Sequence, residues 1–212
     1  MKRAFLLLML VFILAGCSKT VTQIITYGDQ MVVDVTLRGT MEVNANRYFL
    51  VLASTASYRI PLPPPDGFNV EFPEPGTPPQ QGSMADYYTN FYSTWSGYVI
   101  TEPGGYFLAR GPFLLNQPVT REALSSLGEI GAHIRFNFSL SQIFGDNVPD
   151  TIYFDFVTVS YPPDGAKMPA DHLTSTNTYI RKLSGSTLTV TDDDNLSIDP
   201  SLDIKSCTVT IQ

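Results

Sequence analysis

The 212-residue chain has few of the residues on which several functional classes depend. Two cysteines are too few for a disulfide scaffold, and two histidines without an H-E-x-x-H or C-x-x-C motif do not indicate a zinc site. Its 13 lysines and arginines against 20 aspartates and glutamates form no cluster, which disfavours a nucleic-acid partner. G-x-S-x-G and S-x-x-K are also absent, so no nucleophilic catalyst is indicated. What remains is an acidic chain with 12% aromatic residues, enough for a folded core.

Long apolar runs are missing too, except at the start of the chain. Lys2 and Arg3 form a short basic head, residues 4–14 are all apolar, and the small residues Ala15 and Gly16 follow. This run is about half of the ~20 residues that a membrane-spanning helix needs. The layout therefore predicts a secretory signal over residues 1–16.

The residues at the end of this signal indicate a particular class of secreted protein. Leu14-Ala15-Gly16-Cys17 resembles the lipobox of bacterial lipoproteins. The resemblance implies cleavage before Cys17, a diacylglyceryl group and an N-acyl chain on Cys17, and a protein anchored by lipid on the periplasmic or extracellular side of a membrane. By the same resemblance, Ser18 after the cysteine implies the outer rather than the inner membrane. The alternative is an ordinary secretory signal with a chance cysteine. Residues 17–30 would form a lipidated tether with little basic charge, and the mature chain would carry a formal charge of −9.

Period-two alternation through much of residues 31–212 predicts one antiparallel all-β domain. The clearest strands are 129–140 and 150–160, and the expected hairpin pairs 31–38 with 47–53. Residues 120–127 are the one segment expected to be helical, although the aromatic run at 87–98 permits either a short helix or a strand. We expect a β-sandwich, immunoglobulin-like or of the DOMON-like jelly-roll type, with at most one or two short helices. In its last strand, Cys207 should face the core.

A Pro-rich loop interrupts the domain at residues 61–82, which hold eight of the sixteen prolines. Neither a helix nor a central strand is expected there. Two interpretations stay open: a PxxP-type ligand for another protein, or a stiff excursion that covers a sheet edge.

Two segments of the second half resemble a known family. RFNFSLSQIFGDNVPDTIYFDFVTVS and DDDNLSIDPSLDIKSCTVTIQ are similar to the paired and terminal strands of carbohydrate-binding family 9 and DOMON-like β-sandwiches, over about residues 129–212. The resemblance implies a module that binds sugars, or haem in some DOMON members. No haem-ligating Met/His pair can be assigned, and residues 61–98 depart from the family pattern.

A glycan site is predicted from polar side chains on two strands together with nearby aromatic rings. The polar groups should lie on corresponding faces of neighbouring strands and read sugar hydroxyls, while the rings stack on the apolar face of a sugar. The alternative is an ordinary solvated sheet face. The candidate residues are His133, Arg135, Asn137, Tyr153 and Asp155 on the strands, and Tyr88, Tyr92 and Trp95 as the rings.

Two weaker possibilities concern metal and catalysis. Asp192, Asp194 and Asp199 form an oxygen-rich cluster that would suit Ca²⁺, but the segment fails the EF-hand pattern and also fits a charged turn. No other cofactor is expected. A Ser/His/Asp arrangement around Asp171 and His172, or a carboxylate pair that hydrolyses glycosides, is formally possible.

The favoured hypothesis is a lipid-anchored, non-catalytic cell-envelope module that binds a glycan or another envelope component. The alternative is a structural or assembly lipoprotein that holds a protein partner through the Pro-rich loop or a sheet edge. An enzyme is the least favoured reading.

Overall fold

A computed structural model describes residues 26–65, 70–75, 86–114, 117–175 and 177–212. The predicted signal, Cys17 and most of the tether lie outside these residues, as do parts of the Pro-rich loop. The predictions made for them stay predictions.

The described residues form eleven strands and two short helices, which confirms the all-β prediction. In chain order they are β1 (Gln30–Leu37), β2 (Asn46–Ala53), α1 (Asp86–Tyr92), β3 (Gly97–Glu102), β4 (Gly105–Arg110), β5 (Arg121–Ser125), β6 (His133–Ser139), α2 (Leu140–Phe144), β7 (Thr151–Ser160), β8 (Met168–His172), β9 (Tyr179–Arg181), β10 (Thr187–Thr191) and β11 (Ile204–Ile211).

The strands make two antiparallel sheets that pack face to face. The smaller sheet has the order β10-β11-β1-β6, and the larger has the order β5-β4-β3-β2-β7-β8 with β9 paired to the other half of the β7 edge. Alternate residues of both sheets meet in the first core, where Val33 and Phe136 of the small sheet join Phe154 of the large one. Cys207 lies in this core as a free, fully buried thiol, as predicted. Each large apolar side chain buried there contributes about 1.5–3 kcal/mol.

A second core covers the outer face of the large sheet. Helix α1 and the Pro-rich segment 70–75 lie across this face, and Phe72 packs edge-on against Phe49 and Tyr88 at ring-centroid distances of 5.6 and 5.2 Å. The Tyr92 hydroxyl donates a hydrogen bond to the carbonyl of Pro73. Residues 70–75 of the Pro-rich loop thus cover a sheet face, whereas the second interpretation named a sheet edge.

Ion pairs hold the same segment in place. Glu74 Oε2 lies 2.7 Å from a guanidinium nitrogen of Arg121 at the edge of the large sheet, and Arg121 also contacts Glu102 at 3.3 Å. Glu102 in turn lies 3.8 Å from Arg47. The chain that crosses the face is therefore fixed by packing and by charge.

Three expectations about local structure are wrong. Residues 31–38 and 47–53 form strands but no hairpin, because β1 pairs with β6 and β11 while β2 pairs with β3 and β7. The backbone after β1 instead bonds to residues 200 and 203 and crosses to the other sheet. Strands β6 and β7 likewise lie in different sheets. Residues 121–125, expected to be helical, form edge strand β5, since pairing with β4 outweighs the local helix preference.

Candidate functional site

The outer faces of the two sheets differ in exposure. The second core seals the face of the large sheet. The outer face of the small sheet is covered by no described element, and its side chains are polar with one exception, Val32. An antiparallel sheet commonly leaves one face in water, and here that face belongs to the small sheet.

The strand registers align the outward side chains of the small sheet in three rows of four. Rows lie about 6.8 Å apart along the strands, and neighbours within a row are about 4.8 Å apart. From β10 to β6 the rows are Thr191, Ser206, Thr36, His133; Thr189, Thr208, Asp34, Arg135; and Thr187, Thr210, Val32, Asn137. We call these twelve residues the trough.

The trough has a floor on the central strands and a wall on the β6 side. Its residues on the central strands β11 and β1 are half-buried, whereas those on the edge strands β10 and β6 are exposed. A cavity of about 310 Å³ lies over the floor, bordered on one side by His133 and Arg135. The long side chains of β6 therefore rise beside a shallow groove that is open to ligand.

Charge is concentrated on the β6 side. Asp34 lies between His133 and Arg135, with its carboxylate oxygens 3.6 Å from His133 Nδ1 and 3.8 Å from Arg135 Nε. The Thr36 hydroxyl is 3.3 Å from the same Nδ1. Arg135 is 72% exposed and Asp34 is 38% exposed. Pairs this exposed contribute at most about 1 kcal/mol, so a ligand can replace them at little cost.

The β10 side is neutral and rich in hydroxyls. Thr187 and Thr210 share a hydrogen bond of 3.1 Å, and Thr189 and Thr208 share one of 2.9 Å. Because a hydroxyl has one proton and two lone pairs, each pair retains hydrogen-bonding capacity towards solvent. The trough thus offers donors and acceptors on one side and opposite charges on the other.

The predicted aromatic rings lie elsewhere. Tyr88, Tyr92 and Trp95 are 0%, 3% and 3% exposed and belong to the second core. Trp95 Nε1 donates to the carbonyl of Arg59 at 2.8 Å. Their i, i+4, i+7 spacing does place two of them on α1, as one of the two readings expected. Their predicted role as an exposed stacking surface is wrong, because the helix turns its aromatic face onto the sheet.

The prediction is also wrong about the position of Tyr153 and Asp155. They lie on β7 of the large sheet, so they do not join His133, Arg135 and Asn137. Tyr153 packs partly buried against the second core, and Asp155 is fully buried. Neither residue reaches the trough.

Asp155 instead forms a buried pair with His172 of β8. Its Oδ1 accepts a hydrogen bond from the Leu173 backbone at 3.1 Å, and its Oδ2 lies 3.6 Å from His172 Nδ1. Among the described residues, neither Asp155 Oδ2 nor His172 Nδ1 has another hydrogen-bond partner. Burial raises the pKa of Asp155 to about 6, and the Asp155 carboxylate raises the pKa of His172. The Asp155 carboxylate is thus removed from solvent, whereas the His172 side chain keeps 30% of its surface exposed.

This pair differs from the Ser/His/Asp arrangement that the sequence allowed. Asp171 is not the partner of the imidazole, since its Oδ2 accepts from the Ile204 backbone at 2.8 Å. Among the hydrogen bonds of the described residues, none joins His172 to a hydroxyl or a thiol. The geometry gives no support to nucleophilic catalysis at this position.

The candidate calcium residues are occupied by other partners. Asp194 lies 3.5 Å from Arg38, and Asp199 Oδ1 accepts from the Ser201 backbone at 2.8 Å. Asp192 Oδ1 accepts from the Asp193 backbone at 2.9 Å. In the part of the chain that the structure describes, no three His, Cys, Asp or Glu side chains are grouped so that they could hold a metal ion. The calcium prediction gains no geometric support.

Sequence reasoning found the β6 wall of the trough and missed its floor. Asp34 and Thr36 alternate with core residues in β1, and Ser206, Thr208 and Thr210 do so in β11. The same period-two signal marked these positions as outward. The missing information was that β1 lies between β6 and β11.

Comparisons with protein-family models, curated proteins and solved structures found no match to this chain. Among the described residues, no helix has the length and apolar character needed to span a membrane.

Proposed function

We propose that this protein is a lipid-anchored, non-catalytic module of the bacterial cell envelope that binds a hydroxyl-rich glycan in the trough. Acylation of Cys17 supplies the anchor, and two or more acyl chains hold a protein stably on a bilayer. The contrast between the two outer faces supports the binding role. One face is sealed by a second hydrophobic core, and the other presents twelve aligned side chains, of which only Val32 is apolar.

The chemistry of the trough suits a sugar that is held by hydrogen bonds. The threonine hydroxyls both donate and accept, Asp34 accepts, and Arg135 donates through a planar group that grips vicinal hydroxyls or a carboxylate. Regular rows also suit a ligand that repeats along its length. The trough contains no Phe, Tyr or Trp ring, so the affinity has to come from several polar contacts together.

The proposal is tested with the full chain in detergent micelles and a panel of neutral, amino and acidic oligosaccharides. We expect binding that weakens about tenfold or more in Arg135→Ala, since a hydrogen bond to a charged group contributes about 1.5–3 kcal/mol. The combined Thr189→Val and Thr208→Val variant removes neutral hydroxyls with little change in shape and should also weaken binding.

Matched controls lie outside the trough. Arg181→Ala removes an exposed arginine from β9, and Thr120→Val removes an exposed hydroxyl before β5. Both should bind as the unmodified chain does. Failure of the whole panel to bind, or binding that the trough variants leave unchanged, would contradict the proposal.

A second candidate function is the capture of a protein partner through the Pro-rich loop. The observation that favours it is Leu62, which is 42% exposed between Pro61 and Pro63. Extended Pro-rich segments dock into aromatic grooves of other proteins. Under this hypothesis, Leu62→Ser abolishes co-purification of a partner without affecting the second core, and retention of the complex would exclude it.

A further inference from the structure

The described chain begins beside a group of aromatic and basic side chains, of which Tyr27, Tyr179 and Arg181 are exposed and Lys182 is half-buried. Tyr27 bridges to Leu183 in antiparallel fashion, and the Thr26 carbonyl accepts from the Ser184 backbone at 3.0 Å. The Lys182 ammonium lies 5.8 Å from the centre of the Tyr27 ring. The end of the tether is thereby fixed against residues 182–184.

Strand β9 extends this group. Tyr179 and Arg181 alternate with buried Ile180, so they share the outward face of the strand, and both are exposed. The Tyr179 ring packs against the ring of its cross-strand neighbour Tyr153 on β7, with the ring centres 5.8 Å apart. Tyr27 and Tyr179 are 55% and 52% exposed. We call Tyr27, Tyr179, Arg181 and Lys182 the tether patch.

The tether patch is unusual in this chain on two grounds. Large hydrophobic side chains are otherwise mostly buried, yet Tyr27 and Tyr179 are both more than half exposed. The mature chain would carry a charge of −9, yet two consecutive basic residues lie in the patch. Asp150 is the acidic neighbour, since its carbonyl accepts from the Lys182 backbone at 2.9 Å. The sequence around Cys17 lacks a basic cluster, but the fold brings Lys182, from far along the chain, beside Tyr27 at the start of the described residues.

Distance limits how far this patch can lie from a membrane. Thr26 follows Cys17 by nine residues, and a fully extended chain of that length spans only ~30 Å. If Cys17 is acylated, the tether therefore holds this end of the domain near the headgroups.

We propose that the tether patch docks the domain on an anionic bilayer surface, an inference that rests on the proposed acylation of Cys17. Tyrosine is favoured at the boundary between headgroups and acyl chains, because its ring is apolar and its hydroxyl is polar. Arg181 and Lys182 attract anionic headgroups, at about 1 kcal/mol for each basic residue near the surface. The contacts are individually weak and act because the acyl anchor keeps the patch close.

The test measures the distance of two labelled positions from the bilayer in the acylated full chain. A fluorophore is attached to Ser184→Cys beside the patch, or to Asp164→Cys beyond the opposite end of β7, which is about 30 Å long. Cys17 is acylated and Cys207 is buried, so neither competes for the label. The vesicles are phosphatidylcholine with or without phosphatidylglycerol, and they contain a lipid with a quencher on its headgroup.

We expect several-fold stronger quenching at Ser184 than at Asp164, and a further increase when phosphatidylglycerol is present. Arg181→Gln with Lys182→Gln should remove the dependence on phosphatidylglycerol. Tyr27→Ser with Tyr179→Ser should lower the quenching at Ser184 on both kinds of vesicle.

Vesicle flotation tests the acylation of Cys17 separately from the docking of the tether patch. A chain that floats with vesicles but shows quenching unaffected by the patch substitutions overturns the docking and leaves the anchor intact. A chain that does not float contradicts acylation of Cys17, and the docking inference fails with it.

Discussion

Replacement of Asp155 by asparagine should change how the stability of the protein depends on pH. Burial raises the pKa of Asp155 from 3.8 to about 6, so the folded chain binds this proton more tightly than the unfolded chain. Between these two values the unfolded state is the more deprotonated one, and the free energy of unfolding falls as pH rises. A pKa difference of this size corresponds to about 3 kcal/mol.

His172 continues the same trend at higher pH. Asp155 raises the pKa of His172 above 6.5. The stabilisation from the charged imidazole is therefore complete below pH 6.5 and is lost as pH rises through the raised value. Burial also raises the pKa of Asp192 to about 6, which acts in the same direction, although this carboxyl is more exposed and contributes less.

The assay is urea unfolding followed by the fluorescence of Trp95, the single tryptophan, which is buried in the second core. The free energy of unfolding is compared for the unmodified chain, Asp155→Asn, and Asp193→Asn as an exposed control, between about pH 4 and pH 8. The stability of Asp155→Asn relative to the unmodified chain should rise by about 3 kcal/mol from the acid end to neutral pH. The control should follow the unmodified chain.

Parallel pH profiles for the unmodified chain and Asp155→Asn would refute this reasoning. They would mean that Asp155 titrates alike in the folded and unfolded chains, as an exposed carboxyl does.

Two further experiments test the two cores, a substitution in the second core and thiol modification in the first. Phe72→Ala should lower the free energy of unfolding by about 3–5 kcal/mol and speed proteolysis within residues 61–82, because Phe72 holds the Pro-rich segment on the sheet. Glu71→Ala, at the exposed neighbouring position, should do neither. Burial raises the pKa of the Cys207 thiol, so a thiol reagent should modify Cys207 only at the rate of unfolding, and rapid modification of the native chain would contradict the packing of the first core.

The alternation of polar and apolar residues was sufficient to predict several strands and their outward faces. In β6, and in β11 from Cys207 onwards, every second residue is apolar, since one face of each strand packs against the core and the other meets water. Strand β7 shows where this reasoning ends. Asp155 and Tyr153 alternate with core residues as outward side chains would, yet helix α1 and residues 70–75 help to form a second core over that face.

What covers a sheet face is decided by segments distant in sequence. Phe72 contacts Phe49 on the outer face of the large sheet, and the sequence around either residue does not predict this contact. The partners of each strand are equally non-local. The hairpin prediction for β1 and β2 failed because the connection between them crosses the sandwich, and the trough floor was missed because β1 lies between β6 and β11.

Binding in the trough is tested most directly by the threonine methyl signals in the NMR spectrum of the full chain. The chain is titrated with the oligosaccharide that binds most tightly in the panel. Signals of Thr36, Thr189, Thr208 and Thr210 should shift together and saturate at one affinity, while that of Thr158, which is buried and bonded to the Leu202 carbonyl, should not move. Shifts confined to threonines outside the trough would contradict the proposed site.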